Sequence, residues 1–196
     1  KPFEIKPNFE REFFQYTDLN IDQDIYANRI EIEMRPGSHH FLLYSFDENI
    51  NSSNLPEYDI KRDLRFEDGA YNVKTLRTMQ YHQFFTGTQW PRMDYKLPPG
   101  VAFRLNSNFG IDQNSHYVNR SDTTIIGEVF TNIHTIDKSE VQKVANILNW
   151  SNQEILLPPK KVTTLNKTFI TDDPIYIGQL FSHAHEKMTE FVVRIK

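Results

Sequence analysis

Apolar and polar residues alternate one for one through much of this chain. Arg29-Ile30-Glu31-Ile32-Glu33-Met34 is the cleanest stretch; a period of two sends apolar side chains to one face of a strand and charged ones to the other. Val101-Ala102-Phe103-Arg104-Leu105, which follows the turn residues Pro98-Pro99-Gly100, and the β-branched run from Ile125 to Ile136 read as further strands. The stretch from Asp47 to Asp68 is rich in Asn, Ser, Asp and charge and reads as an irregular polar loop. The period changes in one place. Val141, Val144, Ala145 and Leu148 recur at 3/4 spacing behind the candidate N-caps Asp137 and Ser139, which predicts a helix over Lys138–Trp150. Strand-like alternation resumes after Leu156-Leu157-Pro158-Pro159, at Thr168-Phe169-Ile170 and from Ile175 to Phe181. Many short strands punctuated by Pro, Gly and Asn predict an all-β chain of antiparallel sandwich or jelly-roll type. The helix divides it into a first domain, 1–137, a helical linker, 138–153, and the start of a second, 154–196.

Composition narrows the function classes. A net charge of −4 and a pI near 6.0 leave no basic footprint for nucleic acid. No apolar run approaches the roughly 18 residues of a membrane span. With no cysteine, a disulfide framework, a Cys-ligated zinc site and an iron–sulfur site are all excluded. The chain opens at Lys1 without an initiator Met or an apolar leader, a start that fits a processed or trimmed secreted protein or simply an excised piece of a longer one. Sequons at Asn51, Asn119, Asn149 and Asn166 would permit glycosylation in a secretory pathway.

Five of the seven histidines fall into three groups: His39-His40, His116, and His183-Ala184-His185. Imidazole suits copper and zinc. In a strand, His183 and His185 share a face and can reach one ion, whereas His39 and His40 would point to opposite faces unless the strand kinks; Pro36-Gly37 just upstream could supply the kink. Of the remaining two, His82 reads as a surface or packing residue and His134 as a sheet-face residue. The acidic stretch Asp18 to Asp24 lacks calcium-ligand spacing and reads as a solvated loop.

Three segments resemble one family. Arg35-Pro36-Gly37-Ser38-His39-His40-Phe41-Leu42-Leu43-Tyr44 resembles the His-His strand of the copper type II, ascorbate-dependent monooxygenases, the family of peptidylglycine α-hydroxylating monooxygenase and dopamine β-monooxygenase. Phe85-Thr86-Gly87-Thr88-Gln89, Leu97-Pro98-Pro99-Gly100-Val101 and His116-Tyr117-Val118-Asn119 are similar to the strands that lead into the family's His-Tyr motif. Leu180-Phe181-Ser182-His183-Ala184-His185 is similar to its His-x-His strand. The resemblance implies two antiparallel jelly-roll domains, the second incomplete in this chain, and two copper ions. His39, His40 and His116 would hold the electron-transfer copper; His183 and His185 would be catalytic and hold the copper at which a substrate C–H bond is hydroxylated. Dioxygen would be the oxidant and ascorbate the reductant. The substrate would be a small molecule or peptide, and the setting secreted, periplasmic or extracellular.

This sequence departs from the family pattern in two respects. The family's methionine ligand and most of its second domain have no counterpart before Lys196, so further polypeptide or a partner chain is expected to complete that domain; Met188 reads as a packing residue. Where the peptidylglycine enzyme presents an arginine to the substrate carboxylate, this chain has Phe181, which implies a substrate held by apolar contact. The alternative reading is a non-catalytic copper-binding or interaction module of a secreted assembly.

Overall fold

The computed structural model describes residues 1–152, 154–181 and 188–195. The chain forms two units, 1–147 and 148–196.

The first unit is built from twelve strands, β1 (Phe3–Ile5), β2 (Phe9–Thr17), β3 (Ile25–Met34), β4 (Ser38–Phe46), β5 (Lys61–Asp63), β6 (His82–Thr88), β7 (Arg92–Lys96), β8 (Val101–Leu105), β9 (Ile111–Asn119), β10 (Ile125–Gly127), β11 (Val129–Ile136) and β12 (Lys143–Ala145), with one α-helix, α1 (Val73–Met79), between β5 and β6. One five-stranded sheet runs β5-β2-β9-β4-β6; the other runs β11-β3-β8-β12, with β7 also paired to β3. A two-stranded ribbon joins β1 to β10. The two large sheets pack through Ile30, Ile32 and Met34 of β3, Phe41 and Leu43 of β4, Phe85, Phe103, Leu105 and Ile111. The unit is an all-β sandwich, as the alternation predicts.

The period of two explains both faces of β3. Ile30, Ile32 and Met34 turn inward, while Arg29 reaches Asp94 on β7 at 2.7 Å and Glu33 pairs with Arg92. Near its start the strand carries a bulge at Asn28, where the pairing with β11 skips a residue. The buried Asn28 amide uses that freedom to donate to Val101 O at 2.6 Å, which fixes the Pro98–Gly100 turn against β3.

Local structure differs from the sequence pattern in four places. The run Ile125–Ile136 is broken at Glu128, because β10 leaves to pair with β1 and β11 with β3; Glu128 O accepts from Arg35 N and from the Tyr117 hydroxyl, both at 3.0 Å. The helix expected over Lys138–Trp150 does not form. Asp137 does cap, but it caps a single 3-10 turn, Lys138–Glu140, after which Gln142 N and Lys143 N both donate to Gly100 O and the chain runs on as β12, parallel to β8. An available strand edge thus outweighs 3/4 spacing carried by two β-branched valines. The polar segment 47–68 holds a 3-10 turn at Ser52–Asn54 and the strand β5. The α-helix that does form, α1, is seven residues long, too short to announce itself by periodicity, and is capped by the Asn72 side chain on Lys74 N.

In the second unit the described residues form neither strand nor helix. The strands expected at 168–170 and within 175–181 are therefore not made there. Alternation supplies a face, but a strand also needs a partner for its N–H and C=O groups. Within this unit Trp150 stacks on Phe169 at 5.5 Å and 8°, and Lys167 pairs with Glu154.

Candidate metal centre

Even-numbered residues of β2 and β9, and those of β4 from His40 onward, lie on the face of their sheet opposite the sandwich core. In the antiparallel registers, Glu12 stands across from His116 and Phe14 from Asn114, while His40 stands across from His116 and Leu42 from Asn114. Directly opposite residues share a face, so β2 and β4 bring their side chains to β9 from either side.

His39 joins them through a bulge. Ser38 pairs with Tyr117 and His40 with His116, so the register shifts by one residue at His39. The extra residue brings consecutive side chains to one side, which a regular strand cannot do. The kink that a shared site requires is thus made inside β4. Gly37 supports it at φ +93°, accepting from Val118 N at 2.9 Å, and a Cβ at this position would lie 2.7 Å from Ile125 Cδ1.

The three imidazoles converge. Ring centroids are 5.3 Å apart for His39 and His40, 4.7 Å for His39 and His116, and 4.8 Å for His40 and His116. One ring nitrogen from each lies within 4.8 Å of the others, and Nδ1 of His39 is 3.2 Å from Nδ1 of His40. His40 and His116 are buried.

The remaining ring nitrogens are held from behind. His40 Nε2 lies 2.7 Å from Asn114 Oδ1, and the orientation of that amide is set by its Nδ2, which donates to Glu12 Oε1 at 3.1 Å. A carbonyl oxygen accepts, so Nε2 of His40 is the donor. His116 repeats the arrangement with a carboxylate: its Nε2 donates to Glu10 Oε1 at 2.7 Å. Nδ1 of His116 is buried and has no hydrogen-bond partner among the described residues. A buried acceptor without a donor is costly; a metal ion would satisfy it. Histidines that ligate metals characteristically give their second N–H to a carboxylate or carbonyl, which fixes tautomer and ring orientation.

Electrostatics favour the same state. Burial holds the His116 imidazole below its usual value, against the opposing pull of Glu12, so the neutral, ligating form is preferred. Burial pushes Glu12 up, but the proximity of His40 and His116 and the hydrogen bond from Asn114 outweigh it and leave the carboxyl below the usual carboxylate range. Three imidazoles without a thiolate suit copper or zinc.

The other expected site residues fare differently. His183 and His185 lie outside the described residues. Met188 and Phe181 are exposed in the second unit. His134 is the expected sheet-face residue and pairs with Glu31. His82 is buried by Phe14, Tyr44 and Phe46, with its Nε2 2.8 Å from Asp112 Oδ2; Arg62 holds the other oxygen of that fully buried carboxylate. Glu10, Glu12 and Asn114 are site residues that sequence reasoning missed. Their local signal was the alternation Phe9-Glu10-Arg11-Glu12-Phe13, but only the β2–β9 register, spanning about a hundred positions, connects it to His116.

No protein-family model, curated protein or solved structure matches the chain.

Proposed function

We propose that this chain is the copper-binding part of an ascorbate-dependent monooxygenase, with His39, His40 and His116 as the ligands of an electron-transfer copper. The observation that carries the reading is the buried Nδ1 of His116, without a hydrogen-bond partner among the described residues, in a ring whose centroid lies 4.7 and 4.8 Å from those of two further imidazoles that the β4 bulge brings together. Copper held by imidazoles cycles between Cu(I) and Cu(II), which is the chemistry a one-electron relay needs. The protein's part is to fix the orientation of His116 and His40 through Glu10 and Asn114, so that little reorganises when the charge changes. Choice of copper over zinc rests on the resemblance of the three segments. On the same basis His183 and His185 contribute to a second copper, where a C–H bond of a small molecule or peptide is hydroxylated with dioxygen in a secreted or extracellular setting. Phe181 in place of an arginine favours a substrate gripped by apolar contact.

A non-catalytic copper-binding module is the second reading. It is favoured by one observation: the His39, His40 and His116 cluster is complete within residues 1–147.

Copper titration of the full chain, with ions counted and nitrogen couplings read by electron paramagnetic resonance, tests the site. Bound copper with imidazole couplings that vanish in His116→Ala supports it; no copper binding sinks it. Oxygen uptake with ascorbate and an apolar substrate, lost in His183→Ala, separates the enzyme from the module.

A further inference from the structure

One strand delivers two carboxylates to the histidine cluster. Glu10 and Glu12 are two positions apart on β2, and therefore on the same face. Glu10 meets a ring nitrogen directly, through His116 Nε2 at 2.7 Å. Glu12 reaches His40 through the Asn114 amide, and its Oε1 is itself 3.6 Å from His40 Nε2. Neighbouring arginines are engaged with other carboxylates: Arg11 forks onto Asp63 at 2.8 and 3.2 Å, and Arg62 holds Asp112. The side chain of Glu12 is 24% exposed and that of Glu10 65%, so the charge of Glu12 is the less screened by solvent and salt.

We infer that Glu10 and Glu12 are tuning residues that favour the doubly charged over the singly charged copper ion, so that this centre is poised as an electron donor. The inference rests on the copper reading above. Two carboxylates balance a cupric ion and leave an excess negative charge beside a cuprous one. In a partly buried site that difference is not averaged away by water. The step concerned is the bare one-electron couple: the cupric ion takes one electron to become cuprous, and no bond forms or breaks and no proton moves. Ascorbate, an external reductant, supplies the electron. Because the two carboxylates disfavour the reduced state, the centre gives that electron up readily to a stronger acceptor.

The test uses Glu12→Gln and Glu10→Gln in the full chain; each substitution keeps an acceptor oxygen for Asn114 or His116 while removing the charge. Dissociation constants for Cu(II) and Cu(I) are measured by chelator competition, and the reduction potential by titration with mediators. In Glu12→Gln, Cu(II) binding should weaken by about tenfold relative to Cu(I), with a matching rise in potential. Glu10→Gln should move both in the same direction by less, and its effect should shrink further at high salt. The exposed, remote Glu57→Gln should change neither. Equal weakening of both oxidation states would make the two glutamates purely structural and overturn the inference, as would no change at all. If the unsubstituted chain binds no copper, the proposed function fails and this inference with it, an outcome distinct from copper that binds but is indifferent to the two charges.

Discussion

His40 lies directly across from His116 in the β4–β9 register, and the bulged residue before it, His39, closes the triad. A single extra residue in one strand converts two histidines that would point apart into two that share a target. The irregularity costs ladder hydrogen bonds and gains a concave set of three nitrogens, the kind of exchange that bulges make at functional sites.

Replacing ligand and support should have separable effects. His116→Ala should abolish tight copper binding while circular dichroism and the unfolding midpoint stay near those of the unsubstituted chain, since the sandwich core does not include this side chain. Asn114→Ala should weaken copper by about 10–100-fold. It should also destabilise the fold by about 1–3 kcal/mol, because Glu12 and His40 each lose a buried partner. Titration and urea unfolding on the same samples separate the two.

Stability without metal should fall in two acid stages. His116 has a folded-state value below the usual 6.5, so above that pH neither state binds its proton and the group contributes nothing to pH dependence. Below 6.5 the unfolded chain takes the proton first, and stability declines until the folded value is reached. Glu12 has its folded value below the usual 4.5, so its contribution is present above 4.5 and is lost as pH drops through the folded value. Urea midpoints measured from pH 8 to pH 3 should show both arms, and His116→Ala should flatten the upper one.

The Arg62–Asp112–His82 cluster should be the most sensitive polar site in the unit. Asp112→Asn leaves the Arg62 guanidinium buried without its counter-charge and should cost about 3–5 kcal/mol. His82→Ala keeps the ion pair and should cost less. An Asp112→Asn variant as stable as its parent would remove the pair from any account of stability.

Asn119 should carry no glycan in folded protein. Its side-chain amide donates to Ile5 O, Lys6 O and Thr123 O, and its Oδ1 accepts from Ser121 N and Ser121 Oγ. Asn51 makes the same turn with Ser53 yet is exposed. Expressed through a secretory pathway and mapped by mass spectrometry, the sequon at 51 should be the occupied one of these two. Asn119→Ala should destabilise by about 3 kcal/mol, as three carbonyls lose a donor.

Much of the sandwich is legible along the chain because a half-buried strand writes its burial into every second residue; Ile30, Ile32 and Met34 need no other information. The three site histidines stood out for their residue type. Their grouping came from the resemblance rather than from the residues alone, since convergence depends on which strands are neighbours and on a one-residue slip between Ser38 and His40, for which Pro36-Gly37 was the local hint. Glu10 and Glu12 carry no signal of their own in the sequence beyond the alternation around them, and they acquire a role only when β9 is laid beside β2. The expectation at 138–150 failed for a related reason: capping residues and spacing are local, whereas the carbonyl of Gly100 that captures Gln142 and Lys143 is supplied by the fold.

β2 carries Phe13 on one side and Glu10, Glu12 and Phe14 on the other, with its partners fixed residue for residue from Phe9↔Asn119 to Thr17↔Ile111. Deleting one residue from its middle would exchange the sides over half its length, turning the acids toward the sandwich core and Phe13 toward the histidine side. Substitutions in this strand can be graded in their effect; insertions and deletions cannot. The reading frame of the side chains along β2 is thus as constrained as that of a codon, and length variation among descendants of this sequence would have to collect in the segments on either side of it.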